Sequence, residues 1–273
     1  MSNLFEAGDR VLLVDRKDRR YLVTLAAGGE FHSHTGVVDH DDLIGSPDGS
    51  RLRSSRGGSF VAFRPTLGDF VLKMPRGAQV IYPKDLGPIL MLADIHPGVR
   101  VLESGVGSGA LSMTLLRAGA QVTGYEIRED FAERAGSNVE AMLGEAVLDR
   151  YDVHIRDVYE GIDETDLDRV LLDLPEPWQV VPHAAHALRR GGIILAYTPS
   201  IVQAARFRES LEEHGFAFAE TLEVTNRSWH IEGVAVRPAH RMVGHTGFLS
   251  HARLLGTWPA SVPQPAPPWS WCC

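Results

Sequence analysis

Residues 99–215 alternate short apolar runs with longer stretches whose apolar residues recur at helical spacing. The runs predict strands and most stretches between them predict helices, including a helix over 181–190 that ends at Gly191 and Gly192. Strand alternating with helix is the pattern of a parallel sheet with helices on both faces. We therefore predict an α/β chain with a doubly wound, mostly parallel sheet.

Two regions border this alternating pattern. A helix over 85–96, closed by Pro97 and Gly98, is predicted to precede the first strand. After the last helix, the runs FAFAETLEV and TGFLSHARLL read as strands without a helix between them. We expect these two strands to pair antiparallel at one edge of the sheet.

The start of the chain has a different sequence pattern. Short apolar runs such as VLLVD, YLVTL and SFVAF are separated by turn residues, which is typical of a small all-β unit. His32 and His34 share one face of a predicted strand, but no acidic or cysteine ligand keeps a regular spacing with them, so we expect no metal site. We predict a small N-terminal β domain over 1–68, an α/β domain over 69–256 and a disordered, proline-rich tail over 257–273.

The composition is that of an ordinary globular protein, with 44% hydrophobic and 23% charged residues among 273. The sequence lacks an apolar run of the ~20 residues that span a membrane, and its start lacks the basic and apolar parts of a signal peptide. Its two cysteines, Cys272 and Cys273, are adjacent, which gives neither a disulfide framework nor a zinc spacing. A prenylation signal also ends in cysteines, but an incidental tail explains this ending better. We expect a cytoplasmic protein with no membrane partner.

The net charge of −8 is unevenly distributed. Residues 77–225 carry 12 Lys+Arg against 24 Asp+Glu, whereas residues 226–273 carry 4 against 1. Phosphate binding uses clustered Lys and Arg, so the acidic middle argues against a protein coated by nucleic acid. The runs DRKDRR (15–20) and RLRSSR (51–56) supply local basic surface, although solvated turns explain each run taken alone.

A glycine-rich loop follows the first predicted strand, in VLESGVGSGALS. Gly105, Gly107 and Gly109 allow a tight turn and let a ligand approach the backbone and the N-terminal amides of the next helix. The loop fits G-x-G-x-G, and together with Ala110 it also fits the dinucleotide fingerprint G-x-G-x-x-A. The loop by itself therefore leaves the type of nucleotide cofactor open.

Four acidic residues occur at or near the ends of four successive predicted strands: Glu103, Glu126, Asp157 and Asp173. Ligands of open α/β sheets bind outside the carboxyl ends of the strands, so these acids are expected to surround one crevice. A structural cap explains any one of them but is a poor explanation of four. Carboxylates suit a cationic ligand, such as the sulfonium of S-adenosylmethionine, better than the pyrophosphate of a dinucleotide.

With these motifs in place, the chain resembles the bacterial tRNA adenine-N1 methyltransferases that modify position 58 in the T loop. The resemblance extends from about Tyr21 to Leu254. Its most specific parts are YPKD (82–85), LLDLPEPW around Asp173 and GHT (244–246), alongside GGEFHSHTG, GYE, NRSW and RPAHRMVGHTGFL. The sequence departs from many relatives in a short link between LSMTLLRAG and QVTGYE and in its proline-rich tail.

The resemblance implies a Rossmann-like class I methyltransferase with a seven-stranded sheet, preceded by the small N-terminal β domain. It also implies a homotetramer that uses S-adenosylmethionine to form 1-methyladenosine in tRNA. By matching motifs, and with the loop glycines included, the cofactor site comprises Gly105, Gly107, Ser108, Gly109, Ala110, Leu111, Glu126, Phe131, Asp157 and Asp173.

Asp173 is the candidate catalytic residue. Pro175 and Pro177 stop the strand and hold the following residues extended, so the direction of this acid is restricted. Its carboxylate is expected to accept a hydrogen bond from the adenine amine and to stabilise the positive charge of the methylated base. Tyr82 of the matching YPKD is expected to stack on or orient the base, with packing at a domain junction as the alternative. Lys84 is a weaker candidate for a phosphate contact.

Further candidates for RNA contact are Arg227, Trp229, His230 and the RPAHR loop, with an edge-strand role as the alternative. Trp178 either walls the pocket or packs in the core. Two other functions stay open. One is a different class I methyltransferase, acting on isoaspartyl groups or small-molecule oxygen, which has no need of an acid before two prolines. The other is a non-catalytic RNA-binding subunit, against which the four acids argue.

Overall fold

The computed structural model describes residues 4–77 and 79–256, and its first part consists of short strands. The strands are β1 (Arg10–Asp15), β2 (Arg20–Thr24), β3 (Glu30–Ser33), β4 (Gly36–Asp39), β5 (Arg51–Arg53) and β6 (Ser59–Phe63). Four of them form an antiparallel sheet in the order β2-β1-β6-β5, and β3 pairs with β4. Alternate residues face a small core that includes Leu13 and Phe60. The predicted N-terminal β unit is confirmed.

The second part contains a seven-stranded sheet with helices packed against it and a separate two-stranded hairpin. Its helices are α1 (Leu67–Lys73), α2 (Pro83–Leu92), α3 (Ala110–Arg117), α4 (Glu129–Leu143), α5 (Val181–Ala187) and α6 (Ile201–Glu213). Its strands are β7 (Arg100–Ser104), β8 (Gln121–Glu126), β9 (Tyr151–Ile155), β10 (Leu167–Leu172), β11 (Leu188–Thr198), β12 (Phe216–Glu223), β13 (Trp229–Glu232), β14 (Ala235–Pro238) and β15 (Phe248–Leu254). The sheet order is β12-β15-β11-β10-β7-β8-β9, and β13 pairs with β14.

The sheet is mostly parallel, and only β15 pairs antiparallel with its neighbours β11 and β12. The expected antiparallel pair at one edge is therefore confirmed. Leu171 of β10 packs in one core, whereas Val170 and Leu172 pack in the core on the opposite face. Both faces of the sheet are buried, which is why the run from Val170 to Leu172 is continuously apolar instead of alternating.

Helix α5 is shorter than predicted, because the chain enters a strand at Leu188 instead of continuing the helix to Arg190. The register of β10 against β11 shifts between the pairs Leu167–Leu188 and Arg169–Ile193, so residues 189–192 form a bulge. Gly191, at a φ of 80°, sits in this bulge. The glycines therefore bend a strand and do not end a helix.

Helix α2 begins at Pro83 and ends at Leu92, earlier at both ends than the prediction over 85–96. Proline is favoured at the first helical position because its missing N–H has no partner there in any helix. Helix α1 and the β13–β14 hairpin were not predicted. The proposed boundary after residue 68 falls in the first turn of α1, and the division into domains stays a prediction.

The predicted disordered tail over 257–273 lies outside the described residues. Across residues 4–77 and 79–256, no helix combines the length and apolar character that crossing a membrane requires. In the same described ranges, His, Cys, Asp and Glu side chains form no group of three or more that is suited to a metal ion.

Candidate active site

Four acidic residues lie at the carboxyl ends of four neighbouring parallel strands. Glu103 is near the end of β7, Glu126 is the last residue of β8, and Asp173 directly follows β10. Asp157 lies just beyond the end of β9. Because β10, β7, β8 and β9 are adjacent in this order, the four acids share one edge of the sheet, as predicted.

The glycine loop leads from β7 into α3 at this edge. Gly105 has a φ of 84°, in the left-handed region that disfavours side chains. A Cβ atom at Gly105 would overlap the carbonyl oxygen of Asp173, so the close approach of these two backbones requires glycine. Gly109 is the N-cap of α3, and the unpaired N–H groups of the first helical turn, from Ala110 and Leu111, point back into the loop.

The Glu126 carboxylate holds the glycine loop in place. Its Oε2 accepts a hydrogen bond from the backbone N–H of Gly107 at 3.0 Å, and its Oε1 accepts one from the N–H of Arg128 at 3.1 Å. A carboxylate has about four acceptor positions, so both oxygens retain capacity to bind ligand hydroxyls. Glu126 therefore shapes the loop and also presents acceptors at its surface.

Asp157 lies just after β9, and Phe131 lies in the first turn of α4. Asp157 accepts a hydrogen bond from the backbone N–H of Tyr159 at 2.9 Å and caps a short 3-10 turn. It also lines a surface cavity of about 700 Å³. The guanidinium carbon of Arg128 lies 3.8 Å from the centre of the Phe131 ring. Neither predicted residue lines the smaller cavity that contains Glu103 and Asp173.

Asn138 of α4 connects the glycine loop to the segment before α2. Its side-chain nitrogen donates to the carbonyl oxygens of Pro75 and Ser108, both at 3.0 Å. The Ser108 hydroxyl accepts a long hydrogen bond of 3.4 Å from the N–H of Gly77. Asn138 was missed in the sequence, where the available signal was an asparagine in the interior of a helix that it does not favour.

Glu103 and Asp173 line one small cavity beside the glycine loop. It has a volume of about 20 Å³, and Ile81 is among the residues that border it. Glu103 is completely buried, and among the described residues neither of its carboxylate oxygens is in a hydrogen bond of regular geometry, although the hydroxyl and N–H of Ser112 lie near enough to favour the charged form. Burial is the main cause that raises the pKa of Glu103 to about 8, and the charge of Asp173 adds to it. Burial also raises the pKa of Asp173 to about 7. The cavity thus favours a cationic ligand.

We expect the raised pKa of Glu103 to make the ligand-free protein less stable as the pH rises. The unfolded chain loses this proton near pH 4.5 and the folded chain near pH 8, so stability falls across that window because the unfolded state binds fewer protons. Glu103→Gln removes the part of this slope that Glu103 contributes, leaving the part due to the raised pKa of Asp173, and is expected to stabilise the protein at pH 8.5 by roughly 1–3 kcal/mol. Urea denaturation at pH 5 and 8.5 measures it, with the exposed Glu212→Gln as control. Equal slopes for Glu103→Gln and wild type would contradict the assignment.

The loop after Asp173 is held from α6. The carbonyl oxygen of Pro175 accepts a hydrogen bond from the Gln203 side chain at 2.8 Å. Trp178 packs near α6, where the guanidinium carbon of Arg206 lies 5.4 Å from its ring centre. These contacts favour the packing alternative for Trp178 over a role as pocket wall.

Tyr82 is the N-cap residue of α2 and directly follows Ile81, which borders the cavity. A second tyrosine, Tyr197 at the end of β11, donates a hydrogen bond from its hydroxyl to the carbonyl oxygen of Thr246 at 2.7 Å. Burial raises the pKa of Tyr197 to about 12, and Asp85, Asp173 and Tyr82 lie near enough to add to that effect. Tyr197 was missed because the run GIILAYT reads as an ordinary strand.

A buried ion pair within YPKD is connected by a hydrogen bond to GHT, another of the family-specific motifs. The Lys84 ammonium contacts Asp85 at 2.8 Å and donates to the carbonyl oxygen of Val224 at 2.6 Å. The other Asp85 oxygen accepts a hydrogen bond from the Thr246 hydroxyl at 2.7 Å. The Lys84 side chain is 7% exposed and that of Asp85 is 0% exposed. The suggested phosphate contact of Lys84 is therefore wrong, because its ammonium group is buried and bound to acceptors of the protein itself.

His245, between the glycine and threonine of GHT, is bound on both ring nitrogens. Nδ1 lies 2.6 Å from a carboxylate oxygen of Glu223, and Nε2 lies 2.9 Å from the carbonyl oxygen of Pro199. Both partners are acceptors, so the doubly protonated ring satisfies this geometry. The Glu223 hydrogen bond is the main cause that raises the pKa of His245, and the Pro199 carbonyl adds to it.

We expect Thr246→Val to lower the free energy of unfolding by roughly 1–3 kcal/mol, because it leaves one oxygen of the buried Asp85 without its donor. The matched control is Thr221→Val, which removes a hydrogen bond of 2.8 Å between the hydroxyls of Thr221 and Ser250. There we expect about 0.5–1.5 kcal/mol, the usual value for neutral partners. Urea denaturation compares them, and a smaller loss for Thr246→Val than for Thr221→Val would refute the role of Asp85.

Solved structures with similar folds include two that align over nearly the whole chain. A structure described as a SAM-dependent O-methyltransferase from Thermotoga maritima has a TM-score of 0.89 at 33% identity and covers 94% of this chain and 97% of its own. The tRNA (m1A58) methyltransferase TrmI from Aquifex aeolicus has a TM-score of 0.83 at 28% identity and covers 93% and 100%.

Curated relatives show similar coverage. The tRNA (adenine(58)-N(1))-methyltransferase TrmI of Thermus thermophilus is 38% identical over 255 residues, which are 92% of this chain and 98% of the relative. The tRNA (adenine(57)-N(1)/adenine(58)-N(1))-methyltransferase TrmI of Methanocaldococcus jannaschii is 36% identical over 269 residues, covering 89% and 94%.

The seven-stranded sheet, the glycine loop and the acids at its strand ends define a class I methyltransferase. Residues 60–236 match the family described as tRNA methyltransferase complex GCD14 subunit, and residues 4–51 match the TrmI-like N-terminal family. The chain belongs to the TrmI family of S-adenosylmethionine-dependent tRNA (adenine58-N1)-methyltransferases. The resemblance seen in the sequence is confirmed.

Proposed function

We propose that this chain methylates N1 of adenine 58 in the T loop of tRNA, with S-adenosyl-L-methionine as methyl donor. The observation that carries the proposal is the cavity where the carboxylates of Glu103 and Asp173, neither of them paired with a cation, meet the glycine loop. A fully buried acid and a half-buried acid without a cation between them fit a ligand that brings a positive charge. Tyr82 is next in the chain after Ile81, which borders this cavity, and it supplies an aromatic ring for the substrate base.

The residues around the loop fit the parts of the cofactor. When bound, S-adenosylmethionine supplies a methyl group on a positively charged sulfur. Glu126 has free acceptor positions for the ribose hydroxyls of the cofactor. On the β9 side, Asp157 accepts a hydrogen bond from the amine of the cofactor's adenine, and Phe131 borders that adenine ring. The predicted backbone contacts come from Gly105, Gly107, Ser108, Gly109, Ala110 and Leu111.

Asp173 is the residue to which we assign the chemistry. Adenine N1 has a free lone pair in the neutral base, so the protein has to position the base more than to activate it. The Asp173 carboxylate accepts a hydrogen bond from the exocyclic amine, which aligns N1 and discriminates against guanine, whose oxygen there has no proton to donate. Methylation leaves the base cationic, and the fixed carboxylate stabilises that charge. Tyr82 stacks on the base after its extraction from the RNA.

The direct test incubates the full chain with labelled S-adenosylmethionine and an unmodified tRNA transcript, followed by mapping of the labelled nucleoside. We expect 1-methyladenosine at position 58 and no label in a transcript with guanosine at that position. Label in small-molecule hydroxyls or isoaspartyl peptides instead would establish a different methyltransferase. Binding of tRNA without any methyl transfer would establish the non-catalytic subunit. A cytoplasmic location, where tRNA is modified, stays a prediction.

We predict that the protein is a homotetramer in solution. The β13–β14 hairpin exposes apolar side chains, with Trp229 at 57% and Val236 at 60% exposure, and such a patch suits an interface between copies. This use competes with the RNA contact considered for Trp229 and His230. Light scattering at micromolar concentration is expected to give four times the chain mass. A monomer mass with full activity would rule out a tetramer as the active form.

A further inference from the structure

One face of the N-terminal sheet is packed against the second part of the chain at Leu12 and Leu22 but is concave and open to solvent toward β6 and β5. The residues of β1 and β6 that point away from the small core include Val14, opposite Val61, and Phe63. On the edge strand β5, Arg51 is paired with Val61 and Arg53 with Ser59, so both arginines belong to the same face. A cavity of about 600 Å³ is lined by these side chains and by Arg16. We call this surface the outer face.

The outer face carries positive charge that the protein itself does not neutralise. Most nearby acids pair with other arginines: Asp15, which also lines the cavity, pairs with Arg19, Asp18 and Asp69 pair with Arg20, and Asp9 pairs with Arg64. Asp48 instead accepts a hydrogen bond from the backbone N–H of Arg64 at 3.0 Å. Within residues 4–77 and 79–256, Arg16, Arg51 and Arg53 have no ion-pair partner. Three guanidinium groups therefore border one concave surface, free to bind an anion.

The apolar part of the outer face points to the kind of anion. Val14 and Val61 are half-buried, and Phe63 is 43% exposed, so an aromatic ring and an aliphatic floor lie between the arginines. Nucleic-acid strands bind surfaces that combine a basic groove for phosphates with an aromatic side chain for a base. Guanidinium groups match phosphate oxygens in two parallel hydrogen bonds. Arg51 and Arg53 are two residues apart on a strand, roughly 7 Å, which is comparable to the distance between successive phosphates.

The charge distribution of the chain explains why such a surface is needed. The segment 77–225, which contains the strand-end cavity, has 24 acidic against 12 basic residues and repels RNA. Extracting a base from its stack costs a few kcal/mol, which contacts elsewhere on the RNA have to offset. Cationic surface outside this segment is therefore required to hold the substrate.

We propose that the outer face of the N-terminal sheet binds the backbone of the tRNA substrate, with Arg16, Arg51 and Arg53 on phosphates and Phe63 against an exposed base. This inference rests on tRNA methylation as the proposed function. It assigns RNA binding to a surface of the small β domain, separate from the strand-end cavity.

The test measures tRNA binding by the full-length chain as a function of salt. The double substitution Arg51→Gln with Arg53→Gln is expected to weaken binding about tenfold near 0.1 M salt and to reduce the slope of log Kd against log salt by about 1–2. Phe63→Leu is expected to weaken binding without changing the slope, because stacking releases no counterions. The matched control, Arg100→Gln with Arg117→Gln, removes two exposed arginines at the start of β7 and the end of α3, on the side of the sheet opposite the strand-end cavity. It should leave both quantities unchanged.

Steady-state kinetics separates this inference from the proposed function. The Arg51/Arg53 variant is expected to raise KM for tRNA while kcat and the position of methylation remain those of wild type. Affinity and salt slope equal to those of the control variant would overturn the inference, even when wild type methylates adenine 58. A change in oligomeric mass of the Arg51/Arg53 variant by light scattering, at unchanged tRNA affinity per subunit, would also overturn it and assign the face to self-association. Failure of wild type to methylate tRNA would instead reject the proposed function.

Discussion

Asp173→Asn is expected to lower the rate of methyl transfer on the order of 10²–10³-fold, comparable to the loss of one preorganised electrostatic partner. The substitution keeps the shape of the side chain but removes its charge, so the positive charge that develops on the base is no longer stabilised. The amide nitrogen of asparagine is also a donor, and turned toward the adenine amine it would oppose the alignment of N1. Because Asp173 lines the same cavity as Glu103, cofactor affinity is expected to fall as well.

Single-turnover assays at saturating S-adenosylmethionine and tRNA separate the two effects, since saturation removes the contribution of binding. The matched control is Glu176→Gln, an exposed acid in the same loop that accepts a hydrogen bond from Gln179. It is expected to retain the wild-type rate. A near-wild-type rate for Asp173→Asn under these conditions would mean that Asp173 is a binding or structural acid.

The pKa of Asp173 predicts a pH dependence of kcat/KM for S-adenosylmethionine, the quantity that reports ionisation in the ligand-free protein. Burial raises the pKa to about 7, so in the ligand-free protein this acid is partly protonated at neutral pH. A carboxylate that has to be ionised makes the rate rise with pH through that region, whereas asparagine does not titrate. The wild-type profile is expected to rise between about pH 6 and 8, and the Asp173→Asn profile is expected to lose that rise.

Glu126→Ala has the second-largest expected effect, a weakening of S-adenosylmethionine binding by ~1.5–3 kcal/mol, the scale of hydrogen bonds to a charged group. Two causes act together. The ribose hydroxyls lose their acceptors, and the N–H groups of Gly107 and Arg128 lose the oxygens that hold the glycine loop. Calorimetry measures the affinity, with Glu129→Ala on the exposed first turn of α4 as control.

Glu126→Gln divides these two causes. Its amide oxygen still accepts a backbone hydrogen bond, so a large recovery of affinity relative to alanine would assign most of the effect to loop geometry. Unchanged affinity of Glu126→Ala would mean that the ribose lies elsewhere. NAD binding in the same titration would favour the dinucleotide reading of the glycine loop.

Several features of the fold were predictable because their signals are local. The glycine loop, the strand-end acids and the alternation of strand and helix follow from residue type and spacing over short stretches. The antiparallel pair β12–β15 was also predictable, since no helix separates the two strands. The helix predicted up to Arg190 was wrong, because pairing with β10 draws residues 188–192 into a bulged strand. The choice between helix and strand for these residues depends on pairing with a distant segment, so the local sequence pattern does not predict it.

The candidate site shows the same division. Glu103, Glu126, Asp157 and Asp173 could be placed at one edge from the sequence, because parallel strands align their carboxyl ends. Lys84 could not be placed correctly. Its acceptor Val224 is more than a hundred residues away in the chain, and so is Thr246, which binds the other oxygen of its ion-pair partner Asp85. Asn138 and Tyr197 likewise gain their partners through packing.

The sequence by itself determined the class of fold, the family and the edge of the sheet where the chemistry occurs, because periodicity, glycines and prolines act on the backbone locally. Only the tertiary structure decided which polar groups are buried and which hydrogen-bond or ion-pair partners they have. Burial sets the pKa of Glu103 and of Asp173, and it turns Lys84 from a surface cation into a structural one. The same structure left the arginines of the outer face without partners. Charge state and availability depend on distance and desolvation, and these arise when distant segments of the chain pack together.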